Sequence, residues 1–176
     1  MSEFNWDVPN LIFGQTAKKF TFNGGISVEG RELLLPLPPT ENKRLILSRT
    51  GKRFVNSSEY NSWLCYAIRH LKKSRFPEME GKVAVMMTCI FPDMIRRDIA
   101  NYEKAFFDAL TQSEHVYKDD SQVKFHVNSE VIVPGYKLVL GFVFPLEGIS
   151  QTNAFQELAI PPMHIGEVIK RGKVWD

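Results

Sequence analysis

The apolar positions of the chain follow two rhythms, and the switches between them mark its elements. Val83 to Phe91 is almost continuously apolar over strand length, the pattern of a central strand covered on both faces. Pro92 and the β-branched residues favour strand over buried helix there. Gln122 to Asn128 alternates strictly, which predicts a half-buried strand, and Tyr136 to Phe144 returns as an apolar strand after a turn at Gly135. Val123 to Phe144 thus reads as an antiparallel hairpin. Glu32 to Leu37 predicts a further strand, stopped by Pro38 and Pro39, with a polar loop through Thr40, Glu41 and Asn42 after it. Upstream, Phe20 to Val28 reads as two short strands around a glycine-containing turn, an accessory hairpin.

Two other segments repeat at helical steps. Asn56-Ser57-Ser58-Glu59 fits a capping box, and beyond it Tyr60, Trp63, Leu64, Ala67, Ile68 and Leu71 fall on one face. That helix ends in the Pro77 to Gly81 segment and turns Asn61, Arg69 and Lys72 outwards. A second helix runs from Asp98 or Ala100 to Gln112, with Ile99, Tyr102, Phe106, Ala109 and Leu110 as its apolar stripe. Asn101, Lys104 and Asp108 share another face, and Phe107 is left for a second contact surface such as a partner subunit. Arg44 to Arg49 and Lys52 to Val55 flank a Thr50-Gly51 turn as a basic hairpin, and Tyr117 to Ser121 is a turn carrying Asp119 and Asp120. Asn153 to Leu158 reads as a short helix.

These elements predict an α/β or α+β single domain, with a mixed sheet of four or more strands and two principal helices. Residues 1–30 are expected to be an accessory segment, 31–146 the main domain and 147–176 a C-terminal extension. A length of 176 residues with 44% hydrophobic positions suits one such core.

Charge adds direction. The net charge is only +2, yet from Asn42 to Arg75 the bases Lys43, Arg44, Arg49, Lys52, Arg53, Arg69, Lys72, Lys73 and Arg75 face a single acid, Glu59. Such segregation is the footprint of a polyanion partner, with a solvated face and bases at a helix C-terminus as the other reading. No apolar run of about 18 residues appears and the N-terminus lacks the basic-then-apolar order of a secretory signal, so an intracellular, cytoplasmic protein with no membrane partner is expected. Cys65 and Cys89 both sit in apolar patterns and are expected to be reduced core residues. Four scattered histidines lack zinc-ligand spacing, and there is no phosphate-binding glycine loop or nucleophile elbow.

The candidate chemistry lies just after the central strand, in Arg96-Arg97-Asp98-Ile99-Ala100-Asn101 followed by Lys104. Asp98 at the strand-to-helix junction and Asp120, or less readily Asp119, at the later turn converge on one hard cation if their strands are neighbours. Such a centre binds a phosphate oxygen and activates water, and Lys104 stabilises negative charge or protonates the leaving oxygen. The competing reading makes Asp98 a helix cap and the other acids solvated turn residues.

From about Leu33 to Phe144 the chain resembles the RusA family of Holliday-junction resolvases. Leu35-Pro36-Leu37-Pro38-Pro39-Thr40-Glu41-Asn42 resembles that family's Leu-Pro-x-Pro-Pro-Ser/Thr-x-Asn opening. Arg96 to Asn101 resembles its Arg-Arg-Asp-x-Asp-Asn, and Lys104, Phe107-Asp108-Ala109-Leu110 and Asp119-Asp120-Ser121-Gln122-Val123 follow in family order. The resemblance implies a homodimeric, magnesium-dependent endonuclease of recombination and repair, manganese being an alternative ion, which resolves four-way DNA junctions by paired nicks. A phage or bacterial source is implied with it. By position Asp98 and Asp120 match metal-binding acids and Lys104 the catalytic lysine, with Asn101 in support. Lys43, Arg49, Lys52, Arg53, Arg69, Arg96 and Arg97 are the bases expected on DNA. The chain departs from the pattern at Ala100, where the family carries a metal-binding aspartate, so catalysis is expected to be weakened or lost. Two other classes stay in view: a noncatalytic DNA-binding protein of the same fold, and a module that binds an acidic protein.

Overall fold

The structure, a computed structural model, describes residues 13–21 and 27–147. Strands β1 (Gly14–Thr21) and β2 (Ser27–Pro36) come first, then a one-turn helix α1 (Glu41–Arg44) and a small ribbon of β3 (Leu45–Leu47) and β4 (Phe54–Asn56). Helix α2 (Ser58–Lys73), strand β5 (Val83–Phe91) and helix α3 (Ala100–Gln112) follow. A 3-10 turn at Asp120–Gln122 leads into β6 (Val123–Ile132), and β7 (Leu138–Pro145) completes the described chain. The sheet is mixed and five-stranded, in the order β1-β2-β7-β5-β6, with β3 and β4 forming a separate ribbon. This is the α+β architecture that the periodicity predicts.

Burial explains the strand order. β5 and β7 are buried along nearly their whole length and occupy interior positions, whereas β6 alternates between half-buried and exposed and takes the edge. The expected β6–β7 hairpin is therefore wrong. β6 runs parallel to β5, and β7 pairs antiparallel with β5 on its other side, so β5 separates the two. A strand buried on both faces suits an interior position, and β7 takes the one between β2 and β5.

β1 and β2 pair antiparallel from Gly14 opposite Leu34 to Thr21 opposite Ser27. The two-strand reading around Phe20 to Val28 thus holds, its turn at 22–26 lying outside the described residues. β2 crosses the boundary drawn at residue 30 without a break and pairs with β7. Gln15, almost wholly buried, ties this edge to the helices: its Nε2 donates to Leu71 O at 2.7 Å, and its Oε1 accepts from the buried Arg31 guanidinium at 3.1 Å. Arg31 also donates to the carbonyls of His115 and Pro77 and stacks 5.1 Å over the Phe76 ring.

α2 starts one residue later than the capping box suggests, with Ser57 as N-cap accepting from Tyr60 N–H. It ends at Lys73, before the Pro77 to Gly81 segment, where Arg75 adopts a left-handed φ of 51°. Tyr60, Trp63, Leu64, Ala67 and Leu71 are buried on its inner face, and Trp63 Nε1 donates to Pro36 O at 3.0 Å. That bond fixes the proline-rich exit of β2 against the helix. α3 buries Tyr102, Ala105, Phe106, Ala109 and Leu110, and Phe106 lies so close to Gly141 that a Cβ there would come within 2.6 Å of its ring. Glycine in mid-strand is thus what lets α3 lie against the sheet.

One smaller expectation is corrected, and the surroundings of the half-buried Phe107 are defined. Cys65 is exposed, because it falls outside the α2 stripe, and only Cys89 is a core thiol; both are free. Phe107 packs within its own chain, edge-on to His126 with ring centres 5.8 Å apart. The short helix read at Asn153 to Leu158 lies outside the described residues. No helix among the described residues is long and apolar enough to cross a membrane.

Candidate nuclease site

The end of β5 and the start of α3 are joined by a turn built from its own charges. Asp93 Oδ1 accepts from Ile95 N–H at 3.0 Å and from Arg97 Nη1 at 2.7 Å, while the Arg97 guanidinium lies 4.8 Å over the Phe91 ring. The hydrogen bond from Arg97 holds the Asp93 carboxyl below its usual range. Asp98 comes next, exposed, with Oδ1 accepting from Ala100 N–H at 3.1 Å and its carbonyl accepting from Asn101 N–H at 3.1 Å. The aspartate therefore orders the turn just before the helix, whose N-cap residue is Ile99 with no side-chain cap bond, and its second oxygen is free of the Ala100 bond.

Behind this entrance a cleft of about 390 Å³ opens between α3 and β6, walled by Ala100, Glu103, Lys104, Asp108, Asp120 and His126. The α3 contributors recur at three- and four-residue steps, which places them on one face. The β6 contributors share a side because of a bulge. Val123 pairs with Val83 and Phe125 with Ala84, so Lys124 is the extra residue, and the phase of the strand resets after it. Val123, His126 and Asn128 consequently all face the helices.

The turn that carries Asp120 is fixed by Gln122. Gln122 Nε2 donates to Met79 O at 3.0 Å and Gly81 O at 2.8 Å, while its Oε1 accepts from the N–H groups of Lys118 at 2.9 Å and Asp119 at 3.1 Å. One amide thus fastens the acidic turn to the segment that enters β5. Asp119 is engaged in that turn, its Oδ1 accepting from Ser121 N–H at 2.8 Å, and these bonds to Ser121 hold its carboxyl low.

Lys104 Nζ lies 3.1 Å from Asp108 Oδ1, and Asp108 Oδ2 accepts from the Tyr60 hydroxyl, which links α2 to α3. Burial, with the Asp108 bond added, raises the Tyr60 pKa well above its ordinary value. Glu103 is held by two β6 residues: His126 Nε2 lies 3.1 Å from its Oε1, and Asn128 Nδ2 donates to its Oε2 at 2.9 Å.

The fold therefore brings Lys104, Asp120 and Ala100 into one cleft. Asp98 stands at the helix entrance and is not part of the cleft wall, nor is Asp119. Glu103, Asp108 and His126 also wall it; Asp108 was visible on the Lys104 face, whereas the bulge that turns His126 inwards leaves no mark in an alternating sequence. Lys43 and Arg97 line a second groove of about 590 Å³, floored by the Pro36 to Thr40 segment and joined by Lys137. Arg49, Lys52 and Arg53 stand exposed at the tip of the β3–β4 ribbon, turned by Gly51 at φ 66°, and Arg96 and Arg69 are exposed as well.

Among the described residues, no three His, Cys, Asp or Glu side chains group to hold a metal ion. The carboxylates on the cleft wall are Asp120, Glu103 and Asp108, the last two already engaged by His126, Asn128, Lys104 and Tyr60, with Asp98 outside it at the helix entrance. An ion such as magnesium commonly takes one or two protein carboxylates with water and substrate phosphate. That donor chemistry suits such an ion.

Comparison with known proteins finds a family whose match covers these elements. The family model described as Endodeoxyribonuclease RusA matches residues 36–134, which span the proline-rich exit of β2, the Asp98 entrance and the Asp120 turn. The crossover junction endodeoxyribonuclease RusA of Escherichia coli O139:H28 is 31% identical over 109 residues, covering 61% of this chain and 89% of its own. The protein of the same name from Enterobacteria phage 82 is 30% identical over the same coverage, and that of Shigella sonnei 29%. With more than half of its residues matched by the family model, the chain belongs to the RusA family of endodeoxyribonucleases.

Proposed function

We propose that this protein is a structure-selective DNA endonuclease scaffold that binds four-way junctions as a homodimer, and that Ala100 impairs its catalysis. The observation that carries the reading is the joint presence of Lys104, Asp120 and Ala100 on one cleft, inside the segment matched by the family model. The relatives are named as crossover junction nucleases, which gives the substrate class. An isologous pair of subunits offers two equivalent sites to the two symmetry-related strands of a junction, one nick each.

Asp98 and Asp120 would hold magnesium, or manganese in its place. Bound there, the ion supplies polarisation of a phosphoryl oxygen and a water of lowered pKa. The protein's own groups do the remainder. Lys104 leaves Asp108 to meet the negative charge that develops at phosphorus or to protonate the departing oxygen, and Asp108 stays anchored by Tyr60. Asn101 supports the helix entrance. Ala100 presents the cleft with a methyl group that neither holds a cation nor orients a water, so turnover is low while binding persists. Lys43, Arg49, Lys52, Arg53, Arg69, Arg96 and Arg97 lie outside the cleft and position the DNA backbone.

A gel-shift comparison tests this reading. A synthetic four-way junction should bind more tightly than linear duplex of the same length, and both affinities should fall steeply between about 50 and about 200 mM salt, because phosphate contacts release counterions. Equal affinity for the two substrates would remove junction selectivity from the account.

A further inference from the structure

The turn that leads from β5 to Asp98 displays two adjacent apolar side chains to solvent. Met94 is 87% exposed and Ile95 67%. Single exposed apolar residues are ordinary, but a neighbouring pair at the tip of a tightly bonded turn is a presented surface. Asp93 Oδ1 fixes Ile95 N–H, Arg97 Nη1 donates to Ile95 O at 3.0 Å, and stacking on Phe91 fixes Arg97 in turn. Both side chains are therefore held out by a backbone that is already ordered. Ile132, the register partner of Phe91 at the end of β6, adds a further 44% exposed side chain beside the start of the turn.

Exposed bases surround this tip, while Asp93 is engaged by Arg97 and the nearby acids are Asp98, Glu130 and Glu59. Arg96 is exposed next to it, Lys137 lies near enough to act on Asp93, and Lys43 shares a groove with Arg97 and Lys137. A second copy of the chain docked tip to tip would set these bases against their own kind. Apolar side chains ringed by cations complement a partner whose exterior is anionic and whose interior is apolar, namely a nucleic acid with accessible base faces. Met and Ile are among the side chains that enter base steps as wedges, and the unstacking cost is least where the stack is already interrupted.

Resting on the branched-DNA reading above, we propose that Met94 and Ile95 form a base-unstacking wedge that enters the DNA at the branch point, beside Asp98. The wedge contributes junction selectivity, because a continuous duplex must be unstacked to admit it and a branch need not be.

The test uses a four-way junction carrying 2-aminopurine next to the branch, and a duplex with the same label, in EDTA buffer with the full-length protein. Native protein should raise the fluorescence of the junction on binding and leave that of the duplex nearly unchanged. Met94→Ser/Ile95→Ser should lose that rise and roughly tenfold of its junction-over-duplex preference, with an unaltered thermal transition. Met94→Leu/Ile95→Val should retain both. If the serine variant keeps the full rise and preference, the wedge is overturned and the branched-DNA reading stands. A serine variant that changes only its sedimentation mass also overturns it, assigning the pair to self-association. If native protein shows no junction preference at all, the branched-DNA reading fails and the wedge with it.

Discussion

Tyr60 on α2 donates its hydroxyl to Asp108 on α3, and the other oxygen of the same carboxylate holds Lys104 at 3.1 Å. The two bonds differ in cost. Tyr60 is buried, whereas the lysine side chain is 53% exposed and pairs with a neighbour one helical turn away. An exposed pair of this kind contributes only about 0.3–0.5 kcal/mol, so Lys104 can swing to a phosphate with little loss. Tyr60→Phe should lower unfolding stability by ~1.5–3 kcal/mol, the range for a hydrogen bond to a charged group. Lys104→Met should stay within ~0.5 kcal/mol of the native protein. Urea unfolding of both variants checks the contrast; equal losses would show that Asp108 is not anchored through Tyr60.

Alkaline pH should weaken the fold through groups that burial keeps neutral. Burial pushes the Cys89 thiol from 9.0 up to about 12. Below pH 9 the thiol is protonated whether the chain is folded or not, and its contribution is intact. Above pH 9 the unfolded chain loses the proton first, so stability falls by up to about 1.4 kcal/mol per pH unit until the folded thiol also ionises. Tyr60, raised in the same direction, adds a loss that begins above pH 10. Urea midpoints at pH 8, 9 and 10 should therefore decline, and Cys89→Ala should flatten the step between pH 9 and 10. An unchanged step in that variant would assign it to other groups.

Gly141→Ala should be costly. The added methyl meets Phe106 at 2.6 Å and Leu33 at 3.2 Å, both fully buried, so α3 or the sheet must shift. Overpacking of this kind costs ~1–3 kcal/mol, and a thermal melt should show it. An unshifted melting temperature would mean that the contact relaxes freely.

The same glycine shows how far the sequence could be read. Two-sided burial made β5 legible to the residue, and three- and four-residue steps made α2 and α3 legible to within a turn, because both signals are local. What the local pattern cannot express is which strand intervenes between two others. β6 and β7 look like hairpin partners because each is a good strand and a turn joins them, yet β5 lies between them. Nor does it show the bulge at Lys124, which turns His126 towards Glu103, or the four hydrogen bonds by which Gln122 fixes the turn that carries Asp120. Asp108 beside Lys104 was readable from helical spacing; the Tyr60 bond that anchors Asp108 and the Gln122 bonds that fix the turn carrying Asp120 were not.

Arginines of the DNA-facing set should separate by role. Arg53, exposed on the ribbon, has no part in the Asp93 turn, and Arg53→Ala should reduce the slope of log affinity against log salt by about 1 while leaving stability alone. Arg97 pins the turn before Asp98 through Asp93 and Phe91, so Arg97→Ala should weaken junction binding and also speed hydrogen exchange at Ile95. Matching salt slopes and exchange rates in the two variants would contradict that division.

The most direct measurement is magnesium-dependent nicking of a labelled four-way junction by Ala100→Asp beside the native chain. The exposed position and the adjacent cleft leave room for the carboxylate. The account predicts nicking raised by about a hundredfold or more, since a metal centre supplies several kcal/mol to phosphoryl chemistry, with junction affinity in EDTA unchanged. Unchanged nicking by a folded, junction-binding variant would contradict it.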